Sequence, residues 1–248
     1  MHRLIKFDSL PSTNTYVAGK LAEGVAIESP TTVVAKEQPS GRGQKGNTWF
    51  TPPKCNITLT TYFRPHELHP EDQFSICELA ALCSVYLLRD WVPEVGKLKL
   101  KWPNDIYYGD CKLGGILIEH SVTGPYIDHT LIGIGININE QIFPSDLPNP
   151  ISLRMLTGET YCIDDLIAQY MTMFDNLSKL LNSHNGRDQL HQEYLMLLYR
   201  KNEVHRFVSE AVEFEGEIVD VLPGGLLCLR HSTGAVKEYA FKEISFVI

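Results

Sequence analysis

Residues 132–139 have the sequence Ile-Gly-Ile-Gly-Ile-Asn-Ile-Asn, in which a branched apolar residue alternates with glycine or asparagine. Because side chains alternate between the two faces of a β-strand, this pattern predicts a strand that turns its four isoleucines toward a core. The opposite face carries Gly133, Gly135, Asn137 and Asn139, so it is nearly bare and ends in amides. Such a face suits a flat ligand lying on the sheet, and it equally suits a helix packed close to it.

The segments around this strand predict an α+β fold with a mixed, mostly antiparallel sheet. Strands are predicted at 31–37, 56–63, 97–102, 106–108, 112–119 and 131–139 from their β-branched or alternating apolar residues. Helices are predicted at 15–23, 74–91, 164–183 and 187–200. The dipeptide Gly109-Asp110 joins two of the strands in a hairpin.

The last part of the chain predicts a small β-barrel. Short strand candidates separated by glycine-rich turns lie at 211–214, 217–221, 226–230, 236–241 and 244–247. Many short strands in so few residues are typical of a barrel. We therefore divide the chain into two predicted domains, residues 1–202 and residues 203–248.

Composition excludes several classes of protein. The net charge of −8 and the lack of a basic run argue against a nucleic-acid partner. No apolar run is long enough for a membrane span, and the six cysteines are scattered without a CxxC pair, so reduced thiols in a cytoplasm are expected. The run His66-Glu67-Leu68-His69 lies between Pro65 and Pro70, which favours a loop over a metal site. No metal-ligating residues are predicted.

The glycine loop, which we define as residues 38–49, is a candidate anion site. It contains three glycines, Arg42 and Lys45, and it ends at Trp49. Glycines let backbone N–H groups turn toward an anion, and the two side chains add positive charge. The spacing of a P-loop is absent. A flexible surface turn is the alternative.

Two further clusters carry charged or polar residues at strand ends. The first, residues 101–105, is Lys-Trp-Pro-Asn-Asp, and its carboxylate suits Mg²⁺ or a ribose hydroxyl. The second places Lys112 before Gly114 and Gly115, where glycines often mark close approach by a ligand. An Asx-turn and a bulge with a solvated lysine are the respective alternatives. Together with the glycine loop, the clusters suit activation of a small carboxylic acid by a nucleotide, because cations and backbone donors must bring two anions together.

The same motifs resemble those of the biotin–protein ligases. They are Ser12-Thr13-Asn14, Gly41-Arg42-Gly43 with Trp49, residues 101–105, residues 112–116 and residues 133–137, in the order of that family. The resemblance implies a class II synthetase-like catalytic domain followed by an SH3-like barrel. Because the Ser-Thr-Asn motif begins at residue 12, it also implies a ligase without a DNA-binding domain.

The resemblance further implies the reaction and its partners. The substrates would be biotin, ATP with Mg²⁺, and a lysine of a biotin carboxyl carrier protein. The enzyme would be cytoplasmic, with a homodimer and a monomer as alternative assemblies. Biotinyl-5'-AMP would form first, and the acceptor lysine would then displace AMP. A lipoate–protein ligase and a non-catalytic domain that binds a nucleotide or biotin are the rival interpretations.

Site residues follow from the resemblance, motif by motif. The catalytic residues would be Lys112, Arg42 and Asp105. The biotin-binding residues would be Ser12, Thr13, Asn14, Gln38, Gly41, Arg42, Gly43, Gln44, Lys112, Gly114, Gly115, Gly133 and Gly135. The ATP-binding residues would be Arg42, Gln44, Lys45, Trp49, Asn104, Asp105, Lys112 and Asn137. The chain departs from the family at Gln44 and Asn47, where arginine is common.

Overall fold

The computed structural model describes residues 1–53 and 55–248, with the backbone alone at Lys45. A seven-stranded sheet has the order β1-β2-β3-β7-β6-β5-β4. Its strands are β1 (Arg3–Phe7), β2 (Thr31–Ala35), β3 (Ile57–Phe63), β4 (Leu98–Lys101), β5 (Asp105–Tyr108), β6 (Cys111–Thr123) and β7 (Tyr126–Ile136). The pair β1–β2 is parallel and the other pairs are antiparallel, which confirms the predicted sheet.

The alternating segment forms the centre of this sheet, between β3 and β6. All four isoleucines are buried in the main core, as predicted. Helices α2 (Phe74–Leu88) and α4 (Ile163–Leu177) contribute to the same core. Helix α2 is buried almost all round, which explains why its sequence is apolar on every face.

The remaining helices are α1 (Thr13–Ala22), α3 (Leu153–Thr157) and α5 (His184–Leu197). Helix α1 begins one residue after Ser12, whose hydroxyl accepts a hydrogen bond from the Thr15 N–H at 3.5 Å. This N-cap fixes where the helix starts, and therefore which side chains its first turn presents to the sheet. Throughout residues 1–53 and 55–248, no helix combines the length and apolarity that a membrane crossing requires.

A second, antiparallel sheet of five strands follows, in the order β11-β10-β9-β8-β12. Its strands are β8 (Val204–Ser209), β9 (Val212–Val221), β10 (Leu227–His231), β11 (Val236–Tyr239) and β12 (Ser245–Phe246). This five-stranded antiparallel sheet corresponds to the predicted small barrel, and in the described part of the chain no ladder joins its edge strands β11 and β12. The indole N–H of Trp102 donates to the Gly225 carbonyl at 2.9 Å and ties this sheet to the first one.

The structure contains three elements that the sequence did not predict, and it joins two of the predicted strands into a single strand. Strand β1 lies at a sheet edge and alternates only weakly, α3 is a short helix after Ser152, and β8 has a single buried residue, Phe207. The segments predicted at 211–214 and 217–221 form the single strand β9, which runs through Gly216. Glycine in a strand reads as a turn signal, although here its backbone pairs normally with His205 and His231.

Candidate active site

One cavity of about 330 Å³ lies where the start of α1, the glycine loop and the ends of β4 to β7 meet. That volume is within the range of small-molecule sites. Most of the predicted site residues lie along its wall. They are Ser12, Thr13, Asn14, Gln38, Arg42, Gly43, Gln44, Trp49, Asn104, Asp105, Lys112, Gly115, Gly133 and Gly135.

At one end of the cavity lie Ser12, Thr13, Asn14 and Gln38, which we call the uncharged end. The Thr13 N–H and hydroxyl both donate to Gln38 Oε1, at 2.7 and 3.0 Å. The hydroxyl of Thr60, on β3, lies 2.7 Å from that of Thr13. All of these side chains are buried. Because buried polar groups need fixed partners, this end is preformed and suits a neutral, polar ring.

The glycine face of β7 is covered at two points. A Cβ at Gly133 would lie 2.4 Å from Asn14 Oδ1, so the first turn of α1 packs directly on this glycine. A Cβ at Gly135 would lie 2.3 Å from Trp49 Cε2. Within the described residues this face is therefore covered by the protein itself, by the first turn of α1 at Gly133 and by the indole of Trp49 at Gly135. The helix interpretation is confirmed at Gly133, and the flat-ligand interpretation stays a prediction.

The indole of Trp49 lies against Gly135 and close to Gly115, where an added Cβ would be 3.4 Å from Cζ3. Its Nε1 is buried and has no hydrogen-bond partner within the described residues. The Trp49 N–H donates to the Gly41 carbonyl at 2.9 Å, which ties the indole to the start of the glycine loop. A side chain at Gly41 would meet the Trp49 carbonyl at 2.4 Å, so glycine is required there.

At the other end of the cavity lie Lys101, Asp105 and Lys112, which we call the charged end. Lys112 Nζ is 2.6 Å from Asp105 Oδ1, and both side chains are partly exposed to solvent. Lys101 lies opposite Asp105 in the β4–β5 ladder. Its ammonium stands over the rings of Phe246 and Tyr107, 4.6 and 5.3 Å from their centroids.

Burial lowers the pKa of Lys101, and Lys112 and Arg200 lower it further, while Asp105 opposes the shift. With Arg42, the described wall of the cavity carries three cationic side chains and a single carboxylate, that of Asp105. A protein of net charge −8 thus has a locally cationic cavity. Such a cavity attracts an anionic ligand.

Arg42 also lines an adjoining cavity on the other side of the glycine loop, together with Glu119 of β6. Its Nη2 donates to Glu119 Oε1 at 2.9 Å. The loop is held as a hairpin by the bridge between Arg42 and Thr48. Arg42 therefore lines both cavities.

Three predicted site residues lie away from the wall of the main cavity. Gly41 lines only the adjoining cavity. Gly114 is buried and faces Ile106, since a Cβ there would lie 2.9 Å from Ile106 Cδ1. Asn137 donates its amide to the Ile151 carbonyl at 3.0 Å and so supports the backbone behind β6. The side chain of Lys45 lies outside what the structure describes.

Comparison with known proteins decides the family. The model described as "Biotin/lipoate A/B protein ligase family" matches residues 6–137, a stretch that carries both the uncharged and the charged end. The chain belongs to this family.

Two members show how the likeness is distributed. The bifunctional ligase/repressor BirA of Bacillus subtilis is 34% identical over 246 residues, which are 96% of this chain and 72% of that protein. BirA of Salmonella typhimurium is 35% identical over 130 residues, but these are 52% of this chain and only 38% of that protein. The chain therefore matches little more than a third of the length of the Salmonella relative.

Among solved structures, the biotin protein ligase from Aquifex aeolicus in complex with biotin and ATP has a TM-score of 0.78. The match covers 98% of this chain and 97% of that one, at 21% identity. The two chains share a fold over both sheets.

Several residues of the cavity escaped sequence reasoning. Within residues 101–105, the sequence argument drew on Asn104 and Asp105 and passed over Lys101. Lys101 ends an alternating strand at the same sheet edge, and this position indicates that its side chain can reach the cavity. The second sheet also reaches the cavity, through Phe241, Ile244, Ser245 and Phe246. No local pattern marks these residues, because more than a hundred positions of chain separate them from the motifs they meet.

Proposed function

We propose that this chain is an ATP-dependent biotin–protein ligase. It forms biotinyl-5'-AMP from biotin and ATP and then transfers biotin to a lysine of a biotin carboxyl carrier protein. The observation that carries the proposal is one cavity that joins a buried, uncharged hydrogen-bonding end to a cationic end across a glycine face. A neutral polar ring suits the first end, and its acidic tail together with a triphosphate suits the second.

The uncharged end would recognise the ureido ring of biotin. Thr13, Gln38 and Ser12 supply hydroxyl and amide groups that can donate and accept. The hydrogen bonds from Thr13 to Gln38, and the one that the Ser12 hydroxyl accepts from the Thr15 N–H, fix their orientation before the ligand arrives. A preformed site of this kind loses little conformational entropy on binding.

The charged end would carry the first chemical step. An oxygen of the biotin carboxylate attacks the α-phosphorus of ATP, and the bond to pyrophosphate breaks. Lys112 would stabilise the charge that gathers between carboxylate and phosphate, and Arg42 would hold the same anions from the glycine loop. Lys112 is paired with Asp105 at 2.6 Å, so it must share or exchange this partner when the anions bind.

Asp105 would hold Mg²⁺ together with the phosphates. Mg²⁺ commonly binds in nucleotide sites through one or two carboxylates and the phosphate oxygens. The described wall of the cavity offers one carboxylate next to two lysines, so the donor set fits that arrangement. The ion would neutralise phosphate charge during the attack.

In the second step the amine of the acceptor lysine attacks the carbonyl carbon of the adenylate, and the bond to AMP breaks. Asp105 would also accept the proton that the amine must lose. We propose that residues 1–202 form the catalytic domain and residues 203–248 a second domain that closes the cavity through Phe246. We further propose a cytoplasmic enzyme, with a homodimer as one possible assembly.

The adenylate tests this function directly. The protein is incubated with ATP, Mg²⁺ and biotin, and the products are examined by mass spectrometry. We expect biotinyl-5'-AMP and pyrophosphate, and biotinylated carrier protein once an acceptor is added. Lipoate replaces biotin in a parallel reaction, because the family contains both kinds of ligase. Lipoyl-adenylate without biotinyl-adenylate would refute the proposal, and the absence of both would make the chain a binding domain.

A further inference from the structure

Glu119 connects two motifs of the proposed site. Its Oε2 accepts a hydrogen bond from Asn14 Nδ2 at 2.9 Å. Its Oε1 accepts one from Arg42 Nη2, also at 2.9 Å. The carboxylate therefore bridges the first turn of α1 and the glycine loop, which are separated by more than two dozen residues of chain.

The fold fixes this carboxylate from the Asn14 side. Asn14 is buried, and its Oδ1 lies against Gly133, where a Cβ would be only 2.4 Å away. The Thr60 hydroxyl donates to the same oxygen. The amide nitrogen of Asn14 must then point at Glu119, so one oxygen of Glu119 is oriented without any help from Arg42.

Glu119 acts on the main cavity only through other residues. It lines the adjoining cavity and not the wall of the main one, whereas Arg42 lines both. A guanidinium has five N–H donors, and Glu119 engages one of the two terminal nitrogens of Arg42. Because Arg42 also lines the main cavity, its remaining donors are the ones that would meet an anion there.

We propose that Glu119 is a positioning residue that aims Arg42 at the carboxylate and phosphate of the substrates. The inference rests on the proposed function. Water screens a half-exposed ion pair, so the charge of Glu119 weakens anion binding only slightly, while its fixed oxygen holds a long side chain in one orientation. The orientation that Glu119 gives to Arg42 therefore matters more than the negative charge of Glu119. A neutral variant should bind the anion more weakly if orientation dominates, and more tightly if charge dominates.

Glu119→Gln separates these effects. The amide keeps the shape of the carboxylate but has only one accepting oxygen. Asn14 and Arg42 each donate to a separate oxygen of Glu119, so one of the two donors loses its acceptor. Calorimetry measures the Kd of biotin and of its alcohol analogue, in which CH₂OH replaces the carboxylate. We expect biotin to bind about five- to tenfold more weakly, as for one misaligned charge-assisted hydrogen bond, and the alcohol to change by less than about twofold.

Glu217→Gln is the matched control. Glu217 pairs with Arg230 at 2.8 Å on the second sheet, with exposures of 24% and 49% against 36% and 48% for Glu119 and Arg42. It should leave both affinities unchanged. If Glu119→Gln does not fold, Glu119→Asp provides the same comparison, because it keeps the charge but cannot reach both donors.

Each outcome decides the matter. Equal weakening of biotin and the alcohol would mean a structural role alone, and tighter biotin binding would mean that Glu119 competes for Arg42; either overturns the inference. In an Arg42→Ala background, Glu119→Gln should no longer change the ratio of the two affinities, and a persisting change would also overturn it. A wild-type protein that binds neither compound would refute the proposed function itself.

Discussion

The two ends of the cavity are built differently. Thr13 and Gln38 at the uncharged end are buried and bonded to each other. Lys112 and Asp105 at the charged end form an ion pair in partial contact with solvent. A buried network of neutral groups is rigid and specifies one ligand shape, whereas an ion pair in contact with water can exchange partners at little cost. Under the proposed function, this contrast means that recognition and chemistry are separated along one cavity, and substitutions at either end test that separation.

The largest expected effect is at Lys112. Lys112→Gln keeps length but removes the cation that, under the proposed function, stabilises the forming acyl–phosphate bond. We expect kcat for adenylate formation to fall by about 10²-fold, with biotin affinity much less affected. Burst-phase kinetics with pyrophosphate detection measures it. A loss of less than about threefold would remove Lys112 from the chemistry.

Trp49 tests the glycine face between the two ends. In the free protein its indole covers Gly135, so ATP must displace it or stack upon it. Trp49→Ala should weaken ATP binding by roughly 1–3 kcal/mol, as for a lost base–aromatic stack, and should leave biotin affinity nearly unchanged. Titration of each ligand alone measures the two effects. An equal loss of biotin affinity would assign the indole to the biotin site.

Substitution of Gln44 tests whether an additional positive charge in the glycine loop slows dissociation of the adenylate. Gln44→Arg supplies a charge-assisted, bidentate contact that a neutral amide lacks, worth roughly 1–2 kcal/mol. The dissociation rate of biotinyl-adenylate should therefore fall. Stopped-flow release of a fluorescent adenylate analogue measures it, with Gln44→Leu as the uncharged control. Faster release from the arginine variant would show that Gln44 has a different partner.

Substitution of Lys101 should have the smallest effect of the four, and it tests whether a desolvated lysine at the charged end destabilises the fold. Its lowered pKa means that the folded protein binds fewer protons than the unfolded chain as pH rises toward 10.5, the ordinary lysine value. At neutral pH the charged, desolvated Lys101 therefore lowers the free energy of unfolding. This loss of stability disappears as pH rises through the pKa that Lys101 has in the folded protein. Lys101→Met should raise the neutral Tm by about 2–4 °C, lose this pH dependence and weaken ATP binding. Scanning calorimetry across pH measures the first two effects, and an unchanged or lower Tm would contradict the argument.

Local sequence patterns predicted the central sheet well. The Ile-Gly alternation has a period of two with one fully apolar face, so its strand and its buried side follow from side-chain geometry alone. The motifs likewise predicted Asp105 and Lys112 as site residues, and in the structure these two side chains are 2.6 Å apart. These features depend on neighbours in sequence.

Features that depend on long-range contact could not be predicted. That Trp49 lies on Gly135 requires the loop and the strand to be positioned together. The bridge from Glu119 to Asn14 and Arg42 joins three distant segments, and the approach of Phe246 to Lys101 joins two sheets. The open edge between β11 and β12 depends on pairing over the whole second sheet, which short strand signals do not encode.

Thr13 allows the most direct test of the division of labour. Thr13→Val preserves shape but removes the hydroxyl that donates to Gln38 Oε1 and lies beside Thr60. Biotin and ATP are titrated separately into the wild type and this variant. The account predicts that biotin binds about fivefold to tenfold more weakly, as for one lost buried hydrogen bond, while ATP affinity stays within about twofold. Equal weakening of both ligands, or a loss confined to ATP, would contradict it.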